Sequence, residues 1–122
     1  MATVTPTVVD ISRDGSVFLI SWALTTADND GAPVDGIEWA DRSVIFQSIA
    51  WGGATAAVEG SNDKSVYIPL ADPQGTAISK SANAIEAVLE LTRYLRPRLT
   101  TVGTAAAITV SMIARRANPM RT

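Results

Sequence analysis

The sequence predicts an all-β fold, a single antiparallel β-sandwich of jelly-roll type with about eight strands and one short helix. Short segments rich in β-branched and aromatic residues recur about every ten residues, and turn-forming residues separate them. Hydrophobic residues make up 47% of the 122 residues, which is enough for one core. We therefore expect one domain over residues 1–122, with an extended arm at about 1–10 and a tail at about 116–122.

The N-terminal strands are predicted from apolar runs between turn signals. Residues 4–11 are rich in β-branched side chains and form the first strand. After an Asp-Gly turn, residues 17–24 are almost continuously apolar, which is typical of a strand covered on both faces. Residues 25–36 form a long polar loop. It is either a solvated connection or a cation site built from Asp28, Asn29 and Asp30.

The middle strands show the alternation of half-buried β-structure. Residues 37–40 are a short strand, and residues 42–51 a longer one with Val44 and Phe46 on one face and Ile45 on the other. Further strands are predicted at residues 54–59 and 65–70. Pro69 places the second of these at a sheet edge, because proline cannot donate a ladder hydrogen bond.

The C-terminal third contains the helix candidate and two strands. In residues 82–91, Ile85, Val88 and Leu89 lie at helical spacing, and Ser81 or Asn83 is the candidate N-cap. Residues 92–100 are a strand with Tyr94 and Arg96 on one face and Leu95 on the other. Residues 106–115 are the last strand, with Ile108, Val110 and Met112 on one face.

Composition argues against catalysis. The chain has no cysteine and no histidine, so it cannot form a disulfide or a Ser-His-Asp centre, and it lacks the commonest metal ligand. We expect no enzyme activity, no metal and no cofactor. A hydrolase with a carboxylate pair is the remaining catalytic alternative. Its candidate residues are Glu59, Asp63, Asp72, Glu86 and Glu90.

The sequence shows no pattern typical of a secretory signal or of a membrane span. The first residues have neither a basic segment nor an apolar run typical of a secretory signal, and no stretch approaches the length of a membrane span. We therefore expect a soluble protein made in the cytoplasm, without a membrane partner.

Charge is distributed unevenly along the chain. Residues 1–41 carry seven acids and one base, whereas residues 93–122 carry six arginines and no acid. The net charge is −2 and there is no lysine cluster, which argues against nucleic acid as the partner. We expect the arginines to meet a protein surface or the acidic half of a neighbouring copy, or else to form an exposed basic strand end. The candidate partner-binding residues are Trp39, Trp51, Arg93, Arg96, Arg98, Arg115 and Arg116.

Three motifs carry a resemblance to known families. V-E-G-S-N-D at residues 58–63, Y-I-P-L at 67–70 and R-Y-L-R at 93–96 are similar to the pattern of discoidin-like jelly-roll domains. With D-P-Q-G at 72–75 and the segment 91–115, the chain resembles capsid decoration, or cement, proteins of tailed bacteriophages.

The resemblance to decoration proteins implies a homo-dimer or homo-trimer bound to the major capsid protein on the outer surface of the virion. Such a protein stabilises the capsid shell and needs no cofactor. The resemblance to discoidin-like domains implies the alternative, a carbohydrate-binding module of a phage tail or baseplate.

Overall fold

The computed structural model describes residues 3–12, 15–35, 39–88, 90 and 92–116, and for residues 39–41 it describes the backbone alone. Within these residues the chain is all-β and contains no helix. The strands are β1 (Thr3–Val4), β2 (Thr7–Asp10), β3 (Val17–Thr25), β4 (Asp30–Gly31), β5 (Val34–Asp35), β6 (Trp39–Ala50), β7 (Thr55–Ser61), β8 (Ile68–Pro69), β9 (Ser79–Lys80), β10 (Ala84–Val88), β11 (Tyr94–Thr101) and β12 (Ala107–Arg116).

The strands form two sheets that pack face to face, as predicted for a β-sandwich. Sheet I has seven strands in the order β1-β4-β11-β7-β8, with β5 also pairing β11 and β9 also pairing β7. Sheet II has five strands in the order β10-β6-β12-β3-β2. Every described pairing is antiparallel except β1 with β4, which is parallel. Pro69 lies at the edge of sheet I, where the sequence predicted it.

Alternate side chains of both sheets fill one core. In β3, Ile20, Trp22 and Leu24 are buried, because every second residue of a strand points to the same face. The residues Val44 and Phe46 of β6 and Ile108, Val110 and Met112 of β12, which the sequence placed together on one face of each strand, are buried as well. The indole N–H of Trp22 donates to the carbonyl of Ala32 at 2.9 Å. Burial therefore leaves none of this ring's polar groups unpaired.

The N-terminal segment joins the edges of both sheets. Its first two described residues pair with β4 in sheet I, and Thr7–Asp10 pairs with β3 in sheet II. Between them, the amide of Ala32 donates to the carbonyl of Val4 at 2.7 Å. The extended segment thus lies along its own domain from residue 3 onward. Of the predicted C-terminal tail, Arg116 ends β12, and residues 117–122 lie outside the described residues.

The predicted helix at residues 82–91 is wrong. Ala84–Val88 is strand β10, which pairs with β6 over five positions. Val88 is fully buried whereas Ile85 is 67% exposed, so the two side chains point to opposite faces. The short segment gains a hydrogen-bonded neighbour as a strand, whereas a helix of this length is marginal by itself.

The prediction that residues 17–24 form a strand covered on both faces is half right. The inner face of β3 is buried in the core, but the outer face carries the partly exposed Val17 and Leu19 and the exposed Ala23. Among the described residues, none forms a second layer over this apolar strand surface.

Candidate functional site

The arginine-rich strand β11 presents its charged side chains on the outer face of sheet I. Leu95, Pro97 and Leu99 point into the core, so Tyr94, Arg96 and Arg98 point outward. The face assignment made from the sequence is confirmed. The register then sets Arg96 directly opposite Glu59 of β7. Arg98 lies two residues further along β11, on the same face.

Glu59 binds both arginines and is itself buried, with only 4% of the residue exposed. The Nε and Nη2 atoms of Arg96 lie 3.1 Å from Oε1 of Glu59. Nη1 of Arg98 lies 2.9 Å from Oε2 of the same carboxylate. Nε of Arg98 lies 3.5 Å from Oδ1 of Asp30. Two guanidinium groups and two carboxylates therefore form one charge-balanced network within the chain.

Tyr67 covers one side of this network. The guanidinium of Arg96 lies 3.8 Å from the centre of the Tyr67 ring, which is the geometry of a cation–π contact. Burial raises the pKa of the Tyr67 hydroxyl above its usual range, and the charge of Arg96 opposes that shift. The carboxylate contacts that the sequence led us to expect with a partner are thus made inside the chain, where Arg96 and Arg98 share Glu59 as their acceptor.

Arg93 lies at the rim of the same face. Its Nε atom is 3.7 Å from Oδ2 of Asp35, and both side chains are about half exposed. Its guanidinium lies 5.3 Å from the Tyr94 ring, which Lys64 approaches from 5.5 Å. Because this pair is solvent-exposed, it contributes little stability and stays accessible to a partner.

The last two predicted arginines end strand β12. Arg115 and Arg116 are exposed, and the guanidinium of Arg116 lies 5.8 Å from the ring of Phe18. Alternation along β12 places Arg115 on the outer face of sheet II. The structure thus puts the predicted arginines on two different sheets instead of in one patch.

The two predicted tryptophans lie near opposite ends of β6. Trp51 is partly buried against the core, and its indole N–H donates to Oδ1 of Asn83 at 2.9 Å. The same oxygen accepts a bond from the amide of Ser48. Trp51 is therefore held in place with one part open to solvent. The backbone of Trp39 belongs to β6, and its side chain lies outside the described residues.

Each carboxylate considered for hydrolysis has a partner within the chain, and so has Asp30 of the loop considered for cation binding. Asp30 faces Arg98, which disfavours the cation interpretation of the loop. Glu59 holds the arginines, Asp63 accepts from the amides of Ser65 and Val66, Asp72 accepts from Gln74 and Thr76, Glu86 pairs with Lys80 at 2.6 Å, and Glu90 accepts from Ala71. Among the described residues, no three carboxylates converge as a metal site would need.

One shallow groove of about 410 Å³ lies beside the β8 edge of sheet I. Its walls combine the exposed apolar side chains of Val66 and Ile68 with the polar residues Asn62, Asp63 and Glu90. Hydrogen bonds from the amides of Val66 and Ser65 lower the pKa of Asp63 below its usual range, so its carboxylate is charged at neutral pH. The groove therefore has an acidic wall.

Arg42 is a buried charge that the sequence prediction missed. It is only 4% exposed, and its Nη2 atom donates to the carbonyl of Glu90. Nε and Nη1 are buried without a hydrogen-bond partner, and desolvation lowers the pKa of the guanidinium. The alternation of side chains along β6 indicates this burial, because it places Arg42 on the same face as the core residues Val44 and Phe46.

Comparison with known proteins adds no relative to this description. No protein-family model matches the sequence, and a search of curated proteins found no match. Among the described residues, no helix is long and apolar enough to cross a membrane. The functional evidence for the chain is therefore its own surface and the motifs within it.

Proposed function

We propose that the chain is a virion structural protein, a decoration protein that binds and stabilises the shell of a tailed-bacteriophage major capsid protein. The observation that carries the proposal is the difference between the two outer faces of the sandwich. On sheet I the charges of β11 are balanced within the chain, whereas the central outward residues of sheet II, such as Ile45 and Ser111, carry no charge. The arginines of β11 are held by Glu59 and Asp30, which favours a shape-based contact over the recognition of a small anion. The resemblance of the motifs at residues 58–63 and 72–75 to decoration proteins is a second argument for this role.

The proposed role is binding without chemistry. A decoration protein repeats one contact many times around a symmetric shell, so moderate affinity at each site adds up to strong stabilisation. The sandwich supplies flat, preformed faces that lose little entropy on docking. Arg93 and Arg116 are exposed at the rims of these faces, and we expect them to contact neighbouring capsid subunits.

Co-sedimentation with capsids tests the proposal. Empty capsids assembled from the major capsid protein encoded in the same genome are mixed with the purified chain and centrifuged. We expect saturable binding at a fixed number of copies per capsid and a higher temperature of capsid disruption. If the chain stays in the supernatant at low and at physiological salt, the proposal fails.

The groove beside β8 favours the alternative of a carbohydrate-binding module. Its amide and carboxylate groups beside apolar side chains resemble the polar and apolar mixture that sugar sites use. The described lining contains no aromatic ring for a sugar to stack on, which weighs against this alternative. Glycan-array binding that is lost in the variant Asn62→Ala, without capsid binding, would replace the capsid proposal with this one.

A further inference from the structure

We infer that the outer face of sheet II is a self-association surface, where a second copy of the chain packs face to face to form a two-fold dimer. The first observation concerns strand β3, an apolar segment whose inner face is buried in the core and whose outer face is partly exposed. Val17 and Leu19 of β3 point outward and are partly exposed. A strand with apolar residues on both faces is typical of a sheet buried on both sides. The described residues supply no second layer over this face, and we take another molecule to be its source.

The second observation is the composition of the whole face. Strand pairing lines up outward side chains from all five strands in rows. The two central rows contain no charged residue among the described residues. They are Ile85, Ile45, Ser111, Ser21 and Thr7, followed by Ala87, Ser43, Ile113, Leu19 and Val9.

The exposed fractions show that this face is open. Ile85 is 67% exposed, Val9 45% and Ile113 38%, so large aliphatic side chains are exposed in the middle and at both edges of the sheet. The outer face of sheet I differs, because Glu59, Arg96 and Arg98 lie at its centre. A broad aliphatic surface without central charges is the kind that marks a protein contact.

The size of the face fits a dimer. The five strands contain 40 residues in total, which at about 3.3 Å per residue and a spacing of about 4.8 Å cover roughly 630 Å². Two such faces would bury roughly 1,300 Å² in total, which is at the lower end of the range of stable protein–protein interfaces. A single pairing of sheet II is therefore large enough to hold two chains together.

The charge pattern favours a second copy as the occupant. Two copies of a face without central charges can pack against each other without electrostatic repulsion. The face also has no charges that would be complementary to a different protein. The charged margin also fixes the orientation. A two-fold axis running across the strands places the two Arg115 side chains at opposite ends of the interface. An axis along the strands would set them against each other.

The test uses charge placed in the middle of the face. Ser111 lies on the central strand β12 between Ile45 and Ser21, and its side chain points outward. In a monomer Ser111→Arg puts its guanidinium in solvent, whereas a dimer would bury two unpaired charges. Thr100→Arg is the matched control, because Thr100 is exposed on β11 of sheet I.

Sedimentation equilibrium of the full chain from about 1 to about 100 µM gives the result. We expect the wild type and Thr100→Arg to have twice the 12.8 kDa mass of one chain. Ser111→Arg should be monomeric, with a dissociation constant raised more than about 100-fold. Far-UV circular dichroism checks that the variants fold, and Ile85→Lys at the edge of the face gives a second, independent disruption.

Several outcomes would overturn the inference. They are a monomeric wild type at about 100 µM, a wild-type trimer, and a Ser111→Arg dimer. Capsid co-sedimentation separates this inference from the proposed function, on which it does not depend. If the wild type is monomeric but Ser111→Arg no longer binds capsids, the outer face of sheet II is the surface that binds the capsid protein. The self-association inference then fails while the proposed function stands.

Discussion

Two arginines of this protein illustrate how burial alone does not determine what a charge contributes. Arg96 is held by Glu59 and stacks on Tyr67, so its charge is compensated. Arg42 is more deeply buried, and two of its three guanidinium nitrogens have no hydrogen-bond partner. An unpaired buried charge costs free energy, whereas in a buried pair the attraction offsets desolvation until one partner is removed and the other is left uncompensated.

We predict opposite effects of one substitution at these two positions. Arg42→Met keeps the volume and removes the unpartnered donors, so the free energy of unfolding should stay the same or rise by about 1–2 kcal/mol. Arg96→Met leaves the buried carboxylate of Glu59 with Arg98 as its one remaining partner. The free energy of unfolding should therefore fall by about 2–3 kcal/mol, allowing for the partial exposure of Arg96. Urea unfolding followed by tryptophan fluorescence measures both. A large loss of stability in Arg42→Met would contradict this interpretation.

Asp63 gives a pH-dependent prediction at the same scale. Amide hydrogen bonds from Val66 and Ser65 lower its pKa, so folding favours the charged form. The stability contributed by the charge is present above the usual aspartate pKa and is lost as the pH falls through the lower, folded value. The variant Asp63→Asn keeps an acceptor oxygen but cannot titrate. The difference in unfolding free energy between wild type and variant should be constant above about pH 5 and shrink below about pH 4.

Urea midpoints measured between about pH 3 and pH 7 test this prediction. Asp28→Asn serves as the control, because no described hydrogen bond is accepted by the Asp28 carboxylate. A difference between wild type and Asp63→Asn that stays constant down to pH 3 would refute it.

At the scale of the elements, the alternation of side chains along the sequence correctly grouped residues by strand face where the strands were long. The sequence placed Val44 with Phe46, and Ile108 with Val110, on one face of their strands, and the structure buries these faces. It also placed Arg96 on the face opposite Leu95, which the structure confirms. The partner of Arg96 could not be predicted, because Glu59 meets it only through a strand register that links residues 37 positions apart. Sequence spacing fixed the direction of the side chain but not its partner.

The segment 82–91 shows where alternation becomes ambiguous. Ile85 and Val88 are three residues apart, a spacing that places them together on a helix but on opposite faces of a strand. Five residues are too few for the periodicity to discriminate. The deciding factor was the free edge of β6, which offers the segment a full set of backbone partners.

Substitutions at these two residues test the assignment of β10. Val88→Ala removes two methyl groups from the core and should lower the free energy of unfolding by about 1–3 kcal/mol. Ile85→Ala changes an outward side chain and should alter it by less than about 0.5 kcal/mol in the monomer. Both are measured by urea unfolding at a protein concentration that excludes self-association. Equal losses would indicate one shared buried face, as in a helix.

At the scale of the whole molecule, the fold cancels the charge asymmetry of the sequence. The acidic N-terminal part supplies β4 and β5, which lie beside the arginine-rich β11. Asp30 and Asp35 then meet Arg98 and Arg93 within one chain. The sequence predicted that the arginines would seek the acidic half of a neighbouring copy, but much of that attraction is satisfied internally. Arg93 stays exposed on sheet I, and the outer face of sheet II presents the exposed aliphatic side chains of Ile85, Val9 and Ile113.

If sheet II pairs with a second copy, folding and association are linked. A dimer that forms only from folded chains stabilises them by mass action, so the melting temperature must depend on concentration. For a chain of this size we expect a rise of about 2–4 °C for each tenfold increase in protein concentration. Ser111→Arg should melt at one temperature throughout, and Thr100→Arg should follow the wild type. Differential scanning calorimetry across two decades of concentration measures the slope, and a concentration-independent wild type would mean that the uncharged face is not closed by self-association.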